Sequence, residues 1–319
     1  MADDVLFNAI LFHELGHHVF EENASSLPFF STDLRNELEQ VYQDKLPHFA
    51  SATEEEQKQY LGRTVEIVRS WISEIYSDIV ATSIVGPQFC FACSDLFTLT
   101  QRIVGLKQFT QSHPAPLVRA SQQYYALTEV GWMVIPKEIL PGSAFNDLAH
   151  QVFSKLEPGP FPENNDDWNL GYVGVGKATG GFMIDAFMKR ITKVRAHAIA
   201  QVRDAQSRSK EFWYLGDAVA DALNRAVVPS TIVSAQPPPK DGLKGVPTNG
   251  DQAFFRYHPQ PCTVMNVARV LYQDGCSELL KRWTQNRLAT YDETLHVHRR
   301  VSQWVHKAIG DWLLVSSAG

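Results

Sequence analysis

His13-Glu14-Leu15-Gly16-His17 is the segment of this 319-residue chain whose residue types and spacing could do chemistry. On a helix, residues four apart share a face, so His13 and His17 can aim two imidazoles at one cation. Glu14 lies next to His13, within reach of a metal-bound water. Two nitrogen ligands beside a carboxylate base is the arrangement that activates water for hydrolysis. A catalytic zinc usually takes three protein ligands and leaves one position open. A third ligand must therefore come from another element.

Glu74 is the best candidate. It lies among Trp71, Ile72, Ile75, Ile79 and Val80, in an otherwise apolar helix, and Asp78 follows four residues on. Two carboxylates on one buried face repel unless a cation neutralises them. Glu74 is read as the third ligand, and Asp78 as the carboxylate that orients a ligand histidine.

The elements that must position these groups are helical. Residues 5–22 carry apolar residues at helical spacing, and Ile10, Leu11, Phe12 and Val19 suggest a largely buried helix. A second helix starts at Thr32. Thr53 with Glu56 fits a capping box that opens a long helix to about Val85, either continuous or interrupted near Gly62. Gly86-Pro87 ends it. Further helices are expected at about 89–109, 115–127, 143–156, 181–206, 211–227, 262–273, 276–290 and 293–315. Residues 157–181 and 228–261 are rich in Pro and Gly and read as loops. Strand signal is slight. The expected fold is mainly α, divided into a helical core over 1–128 and a helical C-terminal region over 129–319. In that region Val264, Val267, Val270, Leu271, Leu279, Leu280, Trp283, Val301, Trp304, Val305 and Trp312 read as bundle packing.

The ordered motifs resemble a known family. The helix with His-Glu-Leu-Gly-His is followed by the Glu74-x-x-x-Asp78 helix, then by Ser112-His113-Pro114 with Arg119 a turn later. This is similar to the gluzincin metallopeptidases, and within them to the group of the heat-shock protease HtpX and the CAAX prenyl protease. The resemblance covers roughly residues 5–125. It implies a zincin-like core, a Zn2+ cofactor held by His13, His17 and Glu74, and Glu14 as the catalytic base. It also implies that His113 stands near the site to stabilise an oxyanion, and that Arg119 pairs with a carboxylate such as Asp78. The substrate would be a peptide or protein.

Two departures from the family are visible. Its membrane helices are missing, which makes this a soluble relative. Only 12 residues precede His13, too few for the upstream sheet whose edge strand holds an extended substrate. Either a longer protein is truncated here or the groove is built differently. The rival reading is a non-proteolytic, regulatory metal-binding protein whose C-terminal half docks a partner.

Charge and composition bound the rest. The net charge is −6, with 44% hydrophobic residues, enough for a real core. Residues 1–120 hold 16 acidic and 8 basic side chains, and the remainder is nearly balanced. Mild acidity argues against nucleic acid as a partner. The basic run from Lys189 to Lys210, which includes Arg190, Lys193 and Arg195, reads as a solvated helix face. His296 and His298 read as surface residues. Asp3 and Asp4 stand where a secretion signal would be basic, and the most apolar stretch is interrupted at Gly86-Pro87. A cytoplasmic protein without membrane contact is expected. Four cysteines make no disulfide framework, and Cys90-x-x-Cys93 lacks a second pair for structural zinc. Gly171 to Ala178 nearly matches a phosphate-binding loop, but Ala178 stands where the magnesium-binding hydroxyl belongs. It is read as a glycine loop.

Overall fold

The computed structural model describes residues 8–23, 27, 32–100, 105–137, 139, 143–162, 167–234, 246–247, 255–274, 276–285 and 287–317. Among these the chain is mainly helical. A short 3-10 turn at Asn8–Ile10 leads into α1 (Leu11–Asn23). Residues 5–7 of the expected first helix lie outside the described residues. Next come α2 (Thr32–Lys45), α3 (Pro47–Ala50), α4 (Glu54–Val85) and α5 (Pro87–Thr100). The short strand β1 (Gln108–Thr110) precedes α6 (Pro116–Glu129) and α7 (Ala144–Ser154). Strand β2 (Asn169–Tyr172) leads into α8 (Lys177–Ala200), and α9 (Ala205–Asn224) follows. Then come β3 (Ile232–Ser234), β4 (Val246–Pro247) and β5 (Phe255–Tyr257). The chain closes with α10 (Pro261–Gln273), α11 (Ser277–Trp283) and α12 (Tyr291–Ser317).

The central element is α4. It starts on the expected capping box: Glu56 N donates to Thr53 Oγ1, and Thr53 N donates to Glu56 Oε2. It passes Gly62 unbroken, which decides between the two readings of that position. A helix interior loses only about 1 kcal/mol at one glycine, and the buried residues on either side outweigh that. Gly86 ends the helix at φ +82°, and a Cβ there would meet the Trp132 ring at 2.6 Å. Only glycine satisfies both demands. The buried Asn266 of α10 seals the break, accepting from Gln88 N at 2.7 Å and donating to Val85 O at 2.6 Å.

Two apolar cores meet along α4. The first gathers Leu38 and Tyr42 of α2, Val68, Trp71 and Ile72 of α4, Phe109 of β1, and Met183 and Phe187 of α8. The second gathers Ala81 and Val85 from the end of α4, Phe89, Trp132, Phe212, Trp213, Val267 and Val301. Helix α8, which lies C-terminal to residue 128, packs along α4 in the first core. Of the residues expected to pack the bundle, Val264, Val267, Val270, Leu271, Leu279, Val301 and Val305 are buried, whereas Leu280, Trp304 and Trp312 are half-buried.

Several boundaries differ from expectation. The helix expected over 89–109 ends at Thr100, and residues 108–110 form a strand parallel to β2. Residues 101–104 lie outside the described residues. The break between α8 and α9 falls at 201–204, six residues earlier than expected. The two segments read as loops contain strands β2 to β5, and β5 pairs antiparallel with both β3 and β4. Strands of two to four residues are too short to show alternation, so pairing with distant chain defines them rather than local pattern.

The basic run is not simply solvated. Lys189 Nζ and Arg190 Nη1 lie 2.7 and 2.6 Å from the Glu37 carboxylate, and Arg195 Nε lies 2.7 Å from Glu129. These pairs pin α8 to α2 and α6; Lys193 stays exposed. His296 is exposed, but His298 is half-buried, its ring centroid 3.9 Å from that of Tyr272. Cys90, Cys93 and Cys276 are buried free thiols. Among the described residues no helix is long and apolar enough to cross a membrane.

Candidate metal centre

Helix α1 presents His13, Gly16 and Phe20 inward and leaves Leu11 and Leu15 exposed, so it is half-buried rather than largely buried. Its inner face crosses α4 at Ser77. A Cβ on Gly16 would lie 2.5 Å from Ser77 Cα, so only glycine permits this approach. The crossing sets the stripe of His13 and His17 opposite the stripe of Glu74 and Asp78. Each pair is four residues apart, and their helical faces meet.

Three side chains converge there. His13 Nε2 and His17 Nε2 are 3.0 Å apart. His17 Nε2 is 3.2 Å from Glu74 Oε1, and His13 Nε2 is 3.4 Å from the other carboxylate oxygen, Oε2. Tetrahedral zinc with bonds of about 2.0–2.1 Å separates neighbouring ligand atoms by roughly 3.3 Å. The separations between neighbouring groups are of that size, and among the described residues these three form a group that could hold a metal ion, with one atom from each within 4.8 Å of the others. Glu74 Oε2 is buried and accepts no well-formed hydrogen bond. The donor set of two imidazoles and a carboxylate suits zinc.

The outer contacts orient the ligands. His13 Nδ1 lies 2.9 Å from Asp78 Oδ1, and its ring lies parallel to Phe89 with centroids 6.5 Å apart. His17 Nδ1 lies 3.0 Å from Ser73 Oγ. The Nδ1 of each ring thus lies toward α4, hydrogen-bonded in His17 and in a charge contact without a well-aligned hydrogen bond in His13, and each Nε2 lies near Glu74. Arg119, at the first turns of α6, forks onto fully buried Asp78 with two 2.7 Å hydrogen bonds and places Nη1 3.1 Å from Glu74.

His113 also reaches the group. Its Nε2 is 3.6 Å from Glu74 Oε2, and its Nδ1 is 2.7 Å from Ser112 Oγ. The turn that carries it is tied to α4. Ser70 Oγ donates to Ser112 O, and Trp71 Nε1 donates to Thr110 O at 2.8 Å. Inside the turn, Thr110 N donates to His113 O and His113 N donates to Thr110 Oγ1. Glu14 is exposed on α1, one residue beyond His13.

The electrostatics follow from burial set against charge pairing. Burial opposes a charged His13, yet the hydrogen bonds to Asp78 and Glu74 outweigh it and hold the imidazole up at about 9. Burial would raise the Glu74 carboxyl, but His13, His17 and Arg119 hold it well below the usual range. Asp78 is likewise lowered against its burial, chiefly by Arg119. His113 is lowered, mainly by burial.

No family model, curated protein or solved structure matches this chain. The site is therefore read from its own geometry. The seven residues singled out in the sequence lie on the elements that form this group; six are linked by the contacts above, and Glu14 is the exposed chain neighbour of His13. The roles of Ser73 and Phe89 have no signal in the sequence, because their contacts depend on how α1 meets α4 and α5; Ser112, part of the Ser-His-Pro motif, holds its own neighbour His113.

Proposed function

We propose that this protein is a zinc-dependent hydrolase of peptide bonds with a zincin-like centre, in which His13, His17 and Glu74 hold the metal. One observation supports this above others: two imidazoles and a carboxylate from two helices meet at 3.0 to 3.4 Å, a zinc-ligand spacing, and the far nitrogen of each ring lies within 3.0 Å of an oxygen on α4. Bound zinc supplies a water acidified toward neutrality and polarises the scissile carbonyl. The residues of the chain do the rest. Glu14 takes the proton of that water and delivers it to the leaving amine, a role typically worth about 10²–10⁴-fold in rate. His113, held through Nδ1 by Ser112, turns Nε2 toward the site and donates to the developing oxyanion. Asp78 fixes the ring of His13, and Arg119 balances the two buried carboxylates. The substrate is a peptide or protein segment able to lie across the exposed side of α1.

The test is metal content. Protein purified without added metal carries close to one zinc per chain, and Glu74→Ala carries far less. A metal-free parent that also fails to take up added zinc overturns the proposal. Cleavage of an unfolded protein such as reduced casein by the zinc-loaded form then tests hydrolysis.

A further inference from the structure

The three proposed ligands are not held equally. Glu74 belongs to the buried middle of α4 and is flanked by Arg119. The His13 side chain is 11% exposed, paired with Asp78 and parallel to Phe89. The His17 side chain is 31% exposed. Away from the ligand triangle, the contact that orients its ring is the 3.0 Å bond from Nδ1 to Ser73 Oγ.

A neutral imidazole that offers Nε2 to a cation must carry its proton on Nδ1. Ser73 Oγ then accepts that proton's hydrogen bond. With the bond in place, the ring is fixed in both tautomer and rotation. Without it, the ring of His17 can turn about its side-chain bonds, and the Nδ1-protonated tautomer loses its preference.

We infer that Ser73 is the positioning residue for His17: its hydroxyl selects the Nδ1-protonated tautomer and completes the zinc site from outside. This rests on the proposed zinc centre and adds to it a residue that does not touch the metal. The inference also explains the order of residues on α4. Over little more than one turn, Ser73 holds His17, Glu74 supplies a ligand, Ser77 receives Gly16, and Asp78 holds His13. One helix segment thus supplies an outer partner to both proposed ligand histidines, a hydroxyl for the more exposed ring of His17 and a carboxylate for the buried ring of His13.

Outer partners of metal-bound histidines commonly contribute 10- to 100-fold in affinity. Ser73→Ala should raise the zinc dissociation constant by that factor, measured by competition with a chromophoric chelator. Ser73→Thr, which keeps the oxygen, should restore binding to within about threefold of the parent. Cobalt(II) substituted into Ser73→Ala should show a shifted visible absorption band, and Ser73→Thr the parent band. The metal-free variants should melt with the parent, which separates a ligand-orienting role from a folding role. Zinc bound as tightly by Ser73→Ala as by the parent, with an unchanged cobalt band, overturns the inference. Failure of Ser73→Thr to recover affinity also overturns it. A parent that binds no zinc defeats the proposed centre instead, so the two failures are distinguishable.

Discussion

At the residue scale the site divides into groups that face water and groups that face one another. Glu14 is exposed and adjacent to a proposed ligand, so its change should affect chemistry and spare structure. Glu14→Gln is expected to keep zinc and lose at least 10²-fold in peptide hydrolysis, read by metal analysis and a cleavage assay side by side. Equal activity in that variant removes Glu14 from the mechanism. Asp78 is the opposite case. It is completely buried, and its carboxylate satisfies both His13 and the Arg119 fork. Asp78→Asn leaves a buried guanidinium without its full countercharge. Breaking a buried pair in this way costs about 3–5 kcal/mol, which urea unfolding of the metal-free protein should show. Asp78 was legible in the chain because a charge inside an apolar helix needs a partner, and Glu14 because it adjoins His13 in the motif. That Arg119 is the partner of Asp78 followed only from the family resemblance, since it lies 41 residues away and arrives through the entry of α6.

At the element scale, the crossing of α1 over α4 decides whether the histidine and carboxylate stripes meet. Gly16 sets that distance, because a methyl group would run into the backbone of Ser77 rather than into a movable side chain. Gly16→Ala should cost about 1–3 kcal/mol by overpacking and should also weaken zinc binding, both measured on the same preparation. A stable variant with parental zinc affinity would show that the crossing tolerates separation. A second junction, between α2 and α8, is ionic. Lys189 and Arg190 lower the Glu37 carboxyl against its partial burial. A carboxylate with a lowered pKa adds stability above the ordinary glutamate range and loses it as the pH falls through its folded value. Thermal melting should therefore decline as the pH falls below the ordinary glutamate range, and Glu37→Gln should flatten that part of the profile. The helices themselves were readable from period and caps: Thr53 and Glu56 announce the start of α4, and Gly86-Pro87 its end. The strands were not, because β1 and β2 exist only through pairing across about sixty residues of chain.

At the scale of the whole molecule, α4 runs through both apolar cores, so the ligand and outer partners it carries are embedded in the main body of the fold. A metal held between α1 and α4 binds the folded chain and not the unfolded one. Zinc at a hundred times its dissociation constant should add about 2.7 kcal/mol to the unfolding free energy, and Glu74→Ala should abolish the gain. Absence of a zinc-dependent shift in the parent would contradict the proposed centre. The sequence by itself determined the mainly helical character, the helix that carries two histidines on one face, and the carboxylates four apart on another. These are local properties, set by a period of 3.6 residues and by the cost of burying charge. The meeting of the two stripes and the approach of Arg119 and His113 were expected from the order of the motifs; the tertiary structure alone decided the distances at which they meet, the Gly16–Ser77 contact that permits them, and that Ser73 stands behind His17. Those arrangements arise from one glycine-sized contact between helices and from a turn tied to α4 by Ser70 and Trp71. Such contacts join residues distant in the chain, and no periodicity along it records them.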